Sequence, residues 1–140
     1  MTKDVLVQVS GIQTAEEEGE EIVLIAPGTY YLKNGKHYFL YEEIDDEGAV
    51  SKNVIKVTPD LVDLIRKGVT SSHMIFEEGK ENLTYYDTPF GSMLMSITTS
   101  RILFREVSNS RMELEVDYAL SMDGKHMSDC SIKVEVTARQ

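Results

Sequence analysis

Arg111-Met112-Glu113-Leu114-Glu115-Val116-Asp117-Tyr118-Ala119-Leu120 is the stretch that decides the fold class. Met112, Leu114, Val116, Tyr118 and Leu120 face one way, and Arg111, Glu113, Glu115 and Asp117 the other. That alternation is the signature of a strand with one dry and one wet face. A turn signal, Met122-Asp123-Gly124-Lys125, follows, and beyond it Ile132, Val134 and Val136 alternate with Lys133, Glu135 and Thr137. The two segments read as a C-terminal hairpin.

Working outward, Lys33-Asn34-Gly35-Lys36 predicts a second hairpin, because Asn-Gly supplies the positive φ angles of a tight turn between Thr29–Leu32 and His37–Glu42. Further strands are expected at Val5–Gly11, Glu21–Ala26, Asn53–Thr58, Ser72–Phe76, Leu83–Asp87, Ser92–Thr98 and Ile102–Val107. Turn chemistry bounds them at Glu77-Glu78-Gly79-Lys80, Thr88-Pro89-Phe90-Gly91 and Ser108-Asn109-Ser110. Strands recurring every 8 to 12 residues or so imply an all-β sandwich or barrel. Thr58–Gly68 is ambiguous. Thr58 as cap, Pro59 at the first position and Leu61, Leu64 and Ile65 on one face would make a short helix. A Thr-Pro-Asp turn followed by strand Leu61–Lys67 fits the same letters.

The 140 residues carry a formal charge of −10 and 41% hydrophobic residues, enough for one folded acidic domain over residues 1–140. A polyanion such as nucleic acid, or an anionic bilayer, would be repelled, so neither is an expected partner. Cys130 is the one cysteine, so no intrachain disulfide closes. The N-terminal stretch alternates after Asp4 and lacks the apolar run of a signal peptide or membrane span. A cytoplasmic protein, monomer or homodimer, is expected. Two acidic clusters, Glu16–Glu21 and Glu42–Glu47, read as solvated loops.

Three stretches carry a family resemblance: Gly28-Thr29-Tyr30-Tyr31 with Tyr38-Phe39-Leu40-Tyr41-Glu42-Glu43, then Ile65-Arg66-Lys67-Gly68 with Met74-Ile75-Phe76-Glu77-Glu78-Gly79, then Tyr85-Tyr86-Asp87-Thr88-Pro89-Phe90-Gly91. Together with Leu114–Tyr118 and Ile132–Val136 they resemble the YwiB-like family of bacterial proteins. The resemblance implies a closed or nearly closed antiparallel up-and-down β-barrel of the lipocalin-like, or calycin, class, with about eight to ten strands. It also implies strand rather than helix around Ile65–Gly68. Closure makes physical sense, since an open sheet of short strands would leave exposed edges. The resemblance carries no catalytic residue set.

Barrels of about eight strands either hold one small ligand or are filled by side chains. Arg66 is the most informative candidate: as a strand residue it shares a face with Val62 and Leu64, which sets a guanidinium on the apolar side. A buried Arg needs an anion, and Glu42 or a ligand carboxylate or phosphate would serve. The plainer alternative is a strand-end Arg that reaches water or makes a structural ion pair. With Tyr86 these residues would orient a ligand against walls from Leu64, Met74, Phe76, Leu114 and Val116. Tyr30-Tyr31 and Tyr85-Tyr86 are adjacent pairs, so at most one of each looks inward. Met93 and Met95 share a face and would suit an adaptable apolar wall or simply fill the core.

His37, His73 and His126 fall on separate elements, and only His126 and Cys130 approach ligand spacing, which is too few for a metal site. No nucleophile motif, phosphate loop or dinucleotide fingerprint is present, and no metal or cofactor is expected. Asn82-Leu83-Thr84 matches a glycosylation sequon, without meaning in a cytoplasm. The expected function is therefore non-enzymatic binding of a small apolar or acidic molecule in the barrel. An adaptor docking a basic partner on its acidic loops is the alternative, and an enzyme using Glu42 beside Arg66 ranks last.

Overall fold

The structure, a computed structural model, describes residues 3–13, 20–44, 46–68 and 71–139. Ten strands carry the chain: β1 (Asp4–Gln13), β2 (Glu20–Lys33), β3 (Lys36–Ile44), β4 (Val50–Val57), β5 (Val62–Lys67), β6 (Ser72–Phe76), β7 (Glu81–Thr88), β8 (Gly91–Ser108), β9 (Arg111–Met122) and β10 (Lys125–Ala138). They form one antiparallel sheet in the order β6-β5-β4-β3-β2-β1-β10-β9-β8-β7. The sheet is an up-and-down meander whose first and last strands pair from Val5↔Ala138 to Gln13↔Cys130. Its two remaining edges, β6 and β7, meet at Ser71 and Asp87, which exchange two backbone hydrogen bonds of 3.0 Å. The barrel is nearly closed, with its seam there.

Both tight turns follow from sequence. Asn34 and Gly35 have φ of 53° and 76°, and Asp123 and Gly124 of 50° and 84°, the paired positive angles that match strand twist in a two-residue hairpin. Thr58 donates from N and Oγ1 to the Leu61 carbonyl at 2.9 and 3.1 Å. This closes a turn over Pro59-Asp60 and starts β5 as a strand, not a helix.

Two long strands each merge a pair that the sequence separates. Pro27-Gly28 reads as a break, yet β2 runs through it, pairing with β1 up to Thr29 and with β3 only from Gly28 onward. Pro27 therefore lies just before pairing with β3 begins, and Gly28 turns the corner: a Cβ there would sit 2.5 Å from the Leu40 carbonyl oxygen. β8 likewise runs through Thr99–Arg101 by a bulge.

The interior is packed by one cluster that includes Val5, Val7, Phe39, Ile97, Val116 and Val134, each at most 1% exposed. The upper end of the barrel carries the turns 34–35, 58–61, 77–80 and 109–110. The lower end carries 46–49, 89–90 and 123–124, with Gly68 and Ser71 at the same end.

Candidate functional site

Three adjacent strands bring a polar cluster together inside the lower end. On β3, Phe39 and Tyr41 point inward with Glu43 next in the row; on β4, Ser51 and Asn53 continue the inward row of Ile55 and Val57; on β5, Arg66 continues that of Val62 and Leu64. Tyr41 faces Asn53 and Asn53 faces Arg66 across the ladders. Glu43 Oε1 accepts from Asn53 Nδ2 at 3.1 Å and from Arg66 Nη1 at 3.3 Å. Arg66 Nη2 donates to Ser51 Oγ at 3.5 Å, and its Nε is buried without an acceptor among the described residues. Ser51 fits there because Gly68 has no side chain; a Cβ on Gly68 would overlap Ser51 Oγ.

A guanidinium offers five N–H donors, and here two long contacts occupy two of them. Its side chain is 36% exposed and that of Glu43 27%, so the pair stands at the mouth, half in water, and neither is sealed in the core. Burial, and secondarily the Glu43 carboxylate, push the Tyr41 phenol well above its ordinary range, against a smaller pull from Arg66. Tyr41 is a neutral hydroxyl at any physiological pH.

The expectation for Arg66 holds in its placement: it shares the inward face of β5. Glu42 does not meet it. Glu42 is exposed on the outer face of β3, and Glu43 takes the ion pair; the pairing register of β3 with β2 and β4 puts the odd-numbered row inside. Tyr86 points inward, half-buried against the core, while Tyr85 is exposed, and Tyr30 and Tyr31 divide the same way. Met74 is half-buried on the inner face of β6, facing Leu64. Phe76 is 1% exposed, with its ring 4.9 Å from Tyr118, so it fills the core and offers no free surface. Leu114 and Val116 are equally enclosed. Met95 is buried, and Met93, one step nearer the mouth, is 37% exposed.

Sequence reading missed Glu43, Ser51 and Asn53. A signal existed for Asn53, a carboxamide in the apolar row Asn53-Ile55-Val57, which demands an internal partner. His126 and Cys130 are on opposite faces, since a bulge between His126 and Ser128 shifts the parity of β10. Cys130 is buried and contacts Ser128 Oγ at 3.2 Å. His73 pairs with Asp63 at 2.7 Å and His37 with Glu106 at 3.3 Å. Among the described residues, no three metal-ligating side chains cluster, and no helix is long and apolar enough to cross a membrane. Of the acidic loops, residues 16–19 and Asp45 lie outside the described residues; Glu47 is exposed.

Comparison with known proteins agrees with this architecture. The chain is 26% identical over 123 residues to YwiB of Bacillus subtilis (strain 168), described as an uncharacterized beta-barrel protein, covering 86% of each chain. Its fold superimposes on the crystal structure of the ywiB protein from Bacillus subtilis with a TM-score of 0.85 at 21% identity, covering 99% of this chain and 93% of the other. The model of the family described as "Domain of unknown function (DUF1934)" matches residues 7–134, nearly the whole barrel from β1 to β10, and the chain belongs to that family.

Proposed function

We propose that the protein is a cytoplasmic, non-enzymatic, lipocalin-like barrel that binds a small amphipathic acid at its lower mouth. The observation that carries this is Arg66: an inward guanidinium with donors to spare, half-exposed, beside the part-buried apolar surface of Leu64 and Met74. A carboxylate or phosphate head group would complete the guanidinium's hydrogen bonds. A short tail would run along Leu64, Met74 and Tyr86 toward Met93, whose flexible thioether adapts to varied shapes. Because Phe39, Phe76 and Val116 fill the interior above, the ligand occupies the mouth and not a deep lumen.

The test is a thermal-shift and titration series with short-chain fatty acids, isoprenoid phosphates and their neutral alcohols. At a hundredfold excess over Kd, a true ligand adds about 2.7 kcal/mol of stability. Arg66→Ala should weaken an acidic hit by about tenfold or more, the worth of a charge-assisted hydrogen bond. Glu43→Gln should strengthen it by removing the competing carboxylate. Acids binding no better than alcohols, or binding unchanged in Arg66→Ala, would overturn the reading.

A further inference from the structure

The upper end of the barrel has a second opening that the lower mouth does not explain. β7 covers one edge of β8 only from Gly91 to Thr98. The turn after β6 extends that cover by one residue, with Gly79 N donating to Thr99 O at 2.8 Å and Thr99 N to Lys80 O at 3.1 Å. Beyond the bulge, Ile102–Glu106 pairs with β9 on its other edge. Facing this arm across a cleft of about 810 Å³ are the β4–β5 turn and the end of β6, so that Asp60, Glu77, Glu78 and Val57 share the lining with Ile102 and Phe104.

The edge itself is chemically marked. Ile102 N–H points into the cleft and is capped at 3.1 Å by the Glu78 carboxylate, where the carbonyl of a neighbouring strand would otherwise stand. By the alternation of an antiparallel ladder, the backbone groups of Phe104 and Glu106 face the same side as those of Ile102, while Leu103 and Arg105 face β9. The rim is acidic: Asp60, Glu77 and Glu78 outnumber Lys80, which Glu77 already pairs at 3.4 Å, and Glu106 stands at the far end against His37.

We propose that this cleft is a docking site for an extended basic peptide segment, which adds to β8 as a strand and sets its Lys or Arg side chains against Asp60, Glu77 and Glu78. Main-chain pairing with Ile102, Phe104 and Glu106 supplies affinity, and the acidic rim selects the partner. Binding displaces Glu78 from the Ile102 amide and frees that carboxylate to meet a cation. The alternate residues of the segment cover Phe104 and Val57.

The experiment uses the full chain and three short capped peptides: one alternating lysine and valine, one alternating glutamate and valine, and the basic peptide with proline at its centre. The basic peptide should bind about tenfold tighter than the acidic one, weaken with added salt, and lose about tenfold in affinity in Asp60→Lys/Glu77→Lys. It should also slow amide exchange at Phe104 and Glu106. Proline should abolish binding, since it removes a main-chain donor. Equal binding of the proline peptide, unchanged amide exchange, or no binding of the basic peptide at low ionic strength would each overturn the proposal. None of these outcomes depends on Arg66, so the lower-mouth reading stands or falls separately.

Discussion

Arg66 and Glu43 lie 23 residues apart in the chain and meet at 3.3 Å inside the lower mouth, with Asn53 bonded to the same carboxylate oxygen at 3.1 Å. Neither charge is free to leave: β5 and β3 are each fixed to β4 through several register pairs. The pair is half-exposed, so solvent screens it and its net worth is modest. Removing one member still strands the other. Glu43→Gln should cost about 1 kcal/mol in urea denaturation, and Arg66→Met less, because Asn53 continues to serve Glu43. The double variant should cost less than the sum of the two. Strict additivity would mean the two side chains do not interact in solution.

Gly28 is where β2 passes from pairing with β1 to pairing with β3. A Cβ there would lie 2.5 Å from the Leu40 carbonyl oxygen and 3.0 Å from Val7 Cγ2, and the first of these is backbone that cannot rotate away. Gly28→Ala should therefore destabilise the protein by about 2 kcal/mol. Gly11 on β1, with nothing within 4 Å of its would-be Cβ, is the control: Gly11→Ala should stay within about 0.5 kcal/mol of the parent. Similar denaturation midpoints for the two variants would show that the corner is not tight.

Much of this architecture was legible in the chain, for local reasons. Asn34-Gly35 and Asp123-Gly124 announce their turns, and the row Met112-Leu114-Val116 announces its face, because such choices need no distant partner. What was illegible depended on distant partners. Pro27-Gly28 and Thr99–Arg101 read as breaks, yet β2 and β8 pass through them, since a corner and a bulge are properties of pairing with neighbouring strands. The rows His37-Phe39-Tyr41 and Tyr38-Leu40-Glu42 are equally plausible inner rows from sequence, so only the β2–β3–β4 register could decide that Glu43, not Glu42, faces Arg66. A slip of one residue exchanges the two faces.

Filling of the interior can be tested by truncation. Phe39 is 1% exposed and stacks on Tyr30 at 5.1 Å between ring centres, so Phe39→Ala should cost about 3–5 kcal/mol through lost contact and the cavity left behind. Leu83, 63% exposed on the outer face of β7, removes little from water, and Leu83→Ala should change stability by less than about 0.5 kcal/mol. Comparable losses at both positions, measured by urea unfolding, would mean that the outer face of β7 is covered in solution.

Alkaline titration reads two buried phenols of the interior at once. Burial is the main force raising the phenols of Tyr41 and Tyr118 far above their ordinary range, joined by the Glu43 carboxylate at Tyr41 and by Cys130 at Tyr118. In the unfolded chain both ionise near about pH 10. The folded state thus holds protons that the unfolded state has released, so stability is fully present below that pH and falls as pH rises through the window above it. Tyrosinate absorbance should show Tyr41 and Tyr118 titrating only together with loss of structure. Tyr41→Phe and Tyr118→Phe should each flatten the alkaline fall in stability. A full complement of tyrosinate appearing while the fold persists would show that water reaches both rings, and that the barrel is looser inside than its packing implies.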